Sequence, residues 1–263
     1  VLTYGLGGIY AQAEAALELC ASKEESAFVE CAMKGLLAVK TIAGKYADAA
    51  QNLLKTASDG TQRRFLGMIA GTAREVPWRK PETFYEGLNT LWFLREVSGT
   101  LEGLAANSLG RPDAMLVNLY RRDTECGRLT REDAYDLVCR FLLPGDCIYD
   151  KNKQVEGYGG IAGQELEITL TLGGCDDHGH EVFNDITRMF LDAHRAQHQI
   201  YPKLHCRFGR NSSHEYLAAV NQDFLNGRSV ISLTNDDCVI PALVKESGKS
   251  LADARGYVRS GCW

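Results

Sequence analysis

The sequence predicts an α/β fold in which a long helical stretch comes first and a set of parallel strands follows. Two observations carry this. Through about residue 140, apolar residues recur at helical spacing, with Ala, Leu and Lys abundant. From about residue 157, short apolar strands alternate with capped helices, and the intervening segments are long enough for crossovers, so neighbouring strands should be parallel.

Residues 6–20 and 26–55 read as helices, and Ser58-Asp59-Gly60 breaks the pattern before another helix near Thr61. Pro77 and Pro81 bracket a turn, after which Phe84, Leu88, Leu91, Trp92 and Leu94 mark a further helix. Glu102 to Pro112 reads as a loop. Thr130-Arg131-Glu132-Asp133 has the form of a capping box, opening a helix to about Leu142 that Pro144-Gly145-Asp146 should stop. Leu166, Ile168, Leu170 and Leu172 alternate with polar residues, the pattern of a half-buried strand. A helix is expected over Glu181–His198 and a strand over Ile200–Phe208. Ser212-Ser213 caps a helix to Gly227, Ser229–Leu233 is a short strand, and Ser250 caps a last helix that ends before Gly261. No internal repeat is visible.

The 263 residues can bury a sizeable core, and 45% apolar with 24% charged residues is the balance of a soluble globular protein. A net charge of −5 argues against a general polyanion binder, so no nucleic-acid partner is expected. No apolar run is long enough to cross a membrane and no signal peptide is visible, so a membrane partner is not expected either. The first residue is Val1, consistent with a chain that starts in mid-protein. Nine cysteines without regular spacing include Cys20, Cys31, Cys139 and Cys206 inside apolar patterns. They read as buried free thiols in a reducing cytoplasm.

The chain's end, SLADARGYVRSGCW over Ser250–Trp263, resembles the approach to the catalytic cysteine in the pyruvate formate-lyase superfamily, the glycyl radical enzymes. There a capped helix leads into Gly-Cys-x-Glu. Gly261 and Cys262 match, Trp263 fills the variable position, and the Glu would be the next residue. Other segments match in the same order. Arg74-Glu75-Val76-Pro77 with Pro81 to Leu88 resembles a family helix, and Ser108-Leu109-Gly110-Arg111-Pro112-Asp113 resembles its S-F-G-R-x-D loop. Leu172-Gly173-Gly174 with Asn184-Asp185-Ile186-Thr187 resembles its strand, glycine pair and helix. Pro202-Lys203-Leu204-His205-Cys206-Arg207 resembles its P-x-L-x-x-R strand, and Asn235-Asp236-Asp237 with Ile240-Pro241 resembles the element before the cysteine.

The resemblance implies part of a ten-stranded α/β barrel, with 1–150 a helical shell region and 151–263 the strands of a half-barrel leading to the cysteine. It implies a thiyl radical at Cys262 that abstracts hydrogen from a small polar substrate. A glycyl radical from a segment outside this chain would generate it, and a radical S-adenosylmethionine activating enzyme would install that glycyl radical. It further implies an anaerobic, cytoplasmic homodimer. Thiol S–H and substrate C–H bonds are of comparable strength, so the same sulfur can return the hydrogen. A barrel keeps water and oxygen from the intermediates. Gly at 261 means that the adjacent cysteine pair of pyruvate formate-lyase is missing, which argues against acetyl transfer. Gly-Cys-x-Glu is the form of eliminating members, C–O or C–N lyases and dehydratases; decarboxylating members share it. A catalytically inactive fragment or scaffold subunit is the reading from another class.

Two further residues are candidates for substrate binding. Asn107 lies in the loop where glycerol dehydratase-like members carry His-Ser, here preceded by Ala105 and Ala106, which argues against glycerol. A loop Asn also serves turns. His205 lies on a strand that should face the barrel, where a hydrogen-bonded core His is the plainer reading. For metal, Cys175, His178, His180, His194 and His198 have usable spacing, but His194 and His198 lack the Glu of an H-E-x-x-H helix. A solvated polar loop and helix face explain these residues more simply, and no metal is expected. Gly157–Gly163 precedes a strand instead of following one and has no closing Lys-Ser/Thr, so it is a poor phosphate cradle.

Overall fold

The computed structural model describes residues 1–102, 108–147 and 168–260. The expected division at 150/151, the Gly157–Gly163 stretch, and Leu166 of the first expected strand lie outside them. The chain forms two compact units, Val1–Val97 and Ser98–Trp263.

The first unit is helical. It comprises α1 (Gly5–Leu17), α2 (Lys23–Thr56), α3 (Gly60–Glu75) and most of α4 (Phe84–Glu102). The side chains of Ser22 and Asp59 cap α2 and α3 by accepting the amides of Glu25 and Gln62. Ala43, Ala47 and Ala50 form a buried stripe on α2, and Ala70 of α3 is buried too, so small side chains let these helices approach. The amides of Leu6 and Gly7 donate to the carbonyls of Pro77 and Trp78 at 2.8 Å. Gly5, at φ +69°, passes so close to that turn that a Cβ would lie 2.4 Å from the Trp78 carbonyl oxygen.

The second unit holds α5 (Pro112–Met115), α6 (Val117–Glu125), α7 (Arg131–Cys147), β1 (Thr169–Gly173), α8 (Asp185–Ala196), β2 (Lys203–Phe208), α9 (His214–Leu225), β3 (Ile231–Asn235), α10 (Asp236–Ser247) and α11 (Leu251–Arg255). The strands form one parallel sheet in the order β1-β2-β3. Among the described residues there are three strands and no closed barrel. Ser108–Gly110 extends the sheet beyond β1: Leu109 N–H donates to the Thr169 carbonyl, and Thr171 N–H to that of Gly110.

Leu170, Leu172, Leu204 and Cys206 point to one side of the sheet and are fully or almost fully buried, as are Ile186, Met189 and Phe190 of α8 and Tyr216 of α9. Phe141 of α7 meets Phe190 edge-on at 5.6 Å. These apolar side chains are the core that holds the sheet in place.

Three expectations need correction. Pro144 does not stop α7, which runs on to Cys147. Pro144 forfeits only one bond close to the helix end, and Gly145 lets the helix lie against Tyr201 and Pro202, where a Cβ would come within 2.9 Å of the Tyr201 carbonyl oxygen. β1 is not half-buried: all five of its residues are buried, with Thr169 and Thr171 at 0% exposure. Cys31 is exposed, and Cys20 and Cys139 are only partly covered; of these four, Cys206 alone is buried. Helical spacing identifies a periodic face but not what covers it.

Candidate active site

Parallel register brings six residues to the second face of the sheet. Thr169 and Thr171 of β1, His205 and Arg207 of β2, and Ser232 and Thr234 of β3 alternate with the apolar set, and Thr171, His205 and Ser232 share one row. His205 is fully buried in mid-strand. Asn107 and Cys262 lie outside the described residues. Their described neighbours, Ser108 and Ser260, belong to the segments bound to β1 or leading away from it.

The segment after α11 is laid over this polar face. Arg259 N–H donates to the Thr171 hydroxyl at 3.2 Å, and the Thr169 hydroxyl donates to the Arg259 carbonyl at 3.1 Å. The Arg259 guanidinium donates to the Thr234 hydroxyl at 2.9 Å. Alternation alone marks β1 as a half-buried strand; its threonines in fact hold another stretch of backbone.

A second set of contacts anchors the start of that segment. Arg207 is wholly buried and binds Asp236, the first residue of α10, through two bonds of 2.9 Å. Its third nitrogen donates to the Tyr257 carbonyl at 3.0 Å, and its guanidinium carbon lies 3.9 Å from the Tyr257 ring centroid. The Tyr257 hydroxyl donates to Asp236 at 2.6 Å. Burial and the Asp236 carboxylate push the Tyr257 phenol up.

Arg111 is also buried, and its guanidinium donates to the carbonyls of Gly173, Cys175 and Arg255. Burial and the Arg207 charge push the Arg111 guanidinium down. Asp113 is fully buried and accepts the amides of Gly173 at 2.7 Å and Ala114 at 2.9 Å, and the Thr187 hydroxyl at 3.1 Å. Burial raises its carboxyl to about 6, against the opposing pull of these donors and Arg111. Gly173 and Gly174, at φ +72° and +75°, form the turn between these groups. A Cβ on Gly174 would lie 2.7 Å from Arg207 Nε and 2.8 Å from Asp236 Oδ2. The glycine pair is therefore a packing requirement as well as a conformational one.

Sequence reading assigned no role to Arg111, Asp113, Arg207, Asp236, Tyr257 or Arg259. A usable signal was present for Arg207: a charged residue inside a buried strand must find a carboxylate. The spaced histidines do not converge. His194 is buried with Nε2 3.0 Å from the Pro202 carbonyl, whereas His178 and His180 lie on an exposed loop beside Asp177 and Asp176. No group of three or more potential metal ligands occurs among the described residues. Nor, among those residues, is any helix long and apolar enough to cross a membrane.

Residues 1–263 match the family model described as pyruvate formate lyase-like. The chain belongs to this family. The isethionate sulfite-lyase of Nitratidesulfovibrio vulgaris is 28% identical over 252 residues, covering 92% of this chain and 29% of that protein. The trans-4-hydroxy-L-proline dehydratase of Clostridioides difficile is 26% identical over 232 residues, covering 83% of this chain and 28% of its own length. Among solved structures, a glycyl radical enzyme from Archaeoglobus fulgidus superposes with a TM-score of 0.85 at 27% identity, over 99% of this chain and 34% of that one. The pyruvate formate lyase-like chain thus spans under a third of the length of these two curated relatives.

Proposed function

We propose that this chain is the cysteine-bearing part of a glycyl radical lyase that acts by elimination on a small polar substrate. The observation that carries the reading is the Tyr257–Ser260 segment, bound across the polar face of a parallel sheet in a chain that matches the pyruvate formate lyase-like family throughout. The next residues are Gly261 and Cys262. In this reading the sheet is part of a ten-stranded barrel and its polar face looks inward, with 1–150 as helical shell and 151–263 as half-barrel. His205 and Asn107 are the substrate-binding candidates, because one sits on that face and the other precedes the edge segment Ser108–Gly110.

The Cys262 thiyl takes a hydrogen atom from a substrate carbon: a C–H bond breaks and an S–H bond forms. The carbon radical then loses a leaving group from the adjacent carbon as a base removes a hydroxyl proton. The product radical takes the hydrogen back from sulfur, which restores the thiyl. Relatives that release sulfite or water favour elimination over acyl transfer. The glycyl radical comes from a glycine elsewhere in the complete protein and is installed by a radical S-adenosylmethionine activating enzyme. The expected setting is an anaerobic cytoplasm, and the expected assembly a homodimer.

The test is anaerobic activation of the complete protein, followed by electron paramagnetic resonance and a screen of small hydroxylated compounds, isethionate and trans-4-hydroxy-L-proline among them. A glycyl signal, with turnover that Cys262→Ala abolishes while the signal persists, supports the reading. Turnover that survives Cys262→Ala defeats it.

A further inference from the structure

We propose that Arg259 is a positioning residue for Cys262 and that Thr169, Thr171 and Thr234 are the clamp that fixes it. This rests on the glycyl radical reading above. Three separate groups of Arg259 are held: its N–H by Thr171, its carbonyl by Thr169, and its guanidinium by Thr234. The first two anchors are on β1 and the third on β3, so the residue spans the sheet across β2. Thr169 and Thr171 are at 0% exposure and Thr234 at 7%, so water does not compete freely for these hydroxyls.

The clamp holds main chain as well as side chain. Threonine hydroxyls do for Arg259 what a partner strand would do, binding both backbone groups of one residue. Thr169 and Thr171 are two apart and face the same way, as the pleat requires. Upstream, Arg207 binds the Tyr257 carbonyl and Arg111 the Arg255 carbonyl, so the segment is pinned at alternate residues 255, 257 and 259. Residue 262 is three residues further on, and three residues of chain reach at most about 11 Å, so an anchor at residue 259 bounds the reach of residue 262. Hydrogen-atom transfer needs the reacting atoms close together, and a misplacement of about 1 Å can cost on the order of 100-fold in rate.

The side-chain anchor can be removed at constant shape, because Val and Thr are isosteric. The test needs no substrate. In deuterated water the Cys262 thiol becomes S–D. The S–D bond breaks as its deuterium passes to the glycyl carbon; the thiyl then takes hydrogen from that carbon, an S–H bond re-forms, and the glycyl radical is left carrying deuterium. The α-hydrogen splitting in the paramagnetic resonance spectrum collapses at the rate of this exchange.

The samples are the activated complete protein with Thr234 unchanged, Thr234→Val and Thr234→Ser. The expected result for Thr234→Val is undiminished total spin with exchange slowed about 10- to 100-fold, and Thr234→Ser, which restores the hydroxyl, exchanges close to the wild-type rate. Exchange at the wild-type rate in Thr234→Val overturns the positioning role. Spin and melting temperature falling together in Thr234→Val, with exchange per spin unchanged, identify a fold contact and overturn it too. Wild-type protein that takes up no glycyl radical overturns the functional reading as well, so the two failures are distinguishable.

Discussion

Arg207 and Asp236 face each other through two hydrogen bonds of 2.9 Å, with Arg207 at 0% exposure and Asp236 at 7%. The pair joins the end of β2 to the first turn of α10, and each partner also holds Tyr257. Removing one partner strands the other charge in the interior. Asp236→Asn should therefore cost about 3 kcal/mol or more. Replacing both residues with Met should cost less than the sum of the two single replacements, because no unpaired charge remains. Denaturant unfolding of the two single variants and the double variant measures the coupling, and strict additivity would show that the pair does not act as a unit.

Gly174 and Gly127 both have positive φ, +75° and +70°, but their surroundings differ. Nothing lies within 4 Å of a Cβ built on Gly127, whereas one on Gly174 collides with Arg207 and Asp236. Gly127→Ala should lose only the backbone preference, about 1 kcal/mol. Gly174→Ala should lose about 1–3 kcal/mol beyond that, because the collision is with a locked ion pair. Equal losses would mean that the ion pair moves aside freely.

The helices and the parallel order of the strands were legible in the sequence because they follow from local signals. Ser213 and Ser250 cap the helices that their positions suggest, whereas the helix expected from Glu181 starts only at Asp185, where Asn184 with Thr187 forms a full capping box. The site was less legible. Thr169 and Thr171 have the alternation of a solvent-facing edge, yet their hydroxyls bind Arg259 from 90 and 88 positions further on. Nothing local distinguishes a threonine wetted by water from one that binds backbone. The fate of Arg111 and Asp113 was equally hidden, since their partners are carbonyls, amides and a hydroxyl supplied by distant turns. Family resemblance marked several of these positions, but their roles came from the geometry.

Asp113 should make stability fall as pH rises through the acidic range. Burial raises its folded carboxyl from 3.8 to about 6, so between those values the folded state binds more protons than the unfolded chain. Its contribution is fully present below about pH 4 and is lost as pH rises through about 6. The change is about 3 kcal/mol, roughly two pH units at 1.36 kcal/mol each. Asp113→Asn removes the titration, and its altered hydrogen bonds add an offset that does not depend on this proton. Unfolding free energies of the two proteins from pH 3.5 to 7.5 should therefore differ in slope between pH 4 and 6. Parallel curves would show that the donors from Gly173, Ala114 and Thr187 hold the carboxylate ionised throughout.

Cys206 is on the apolar face of β2, at 0% exposure, and burial pushes its thiol up to about 12. Alkylating reagents attack the thiolate, so two barriers combine: little thiolate exists near neutral pH, and the reagent has no path to the sulfur. Cys31, Cys126 and Cys238 are free and exposed. Under native, anaerobic conditions, iodoacetamide at pH 8 should modify these three within minutes and leave Cys206 unmodified. In denaturant Cys206 should react as fast as they do. Peptide mass spectrometry of the two samples reads each position separately. Native modification of Cys206 at a rate comparable to Cys31 would show that the sheet opens on the alkylation timescale, which is incompatible with the sheet as a rigid platform for the clamp at Arg259.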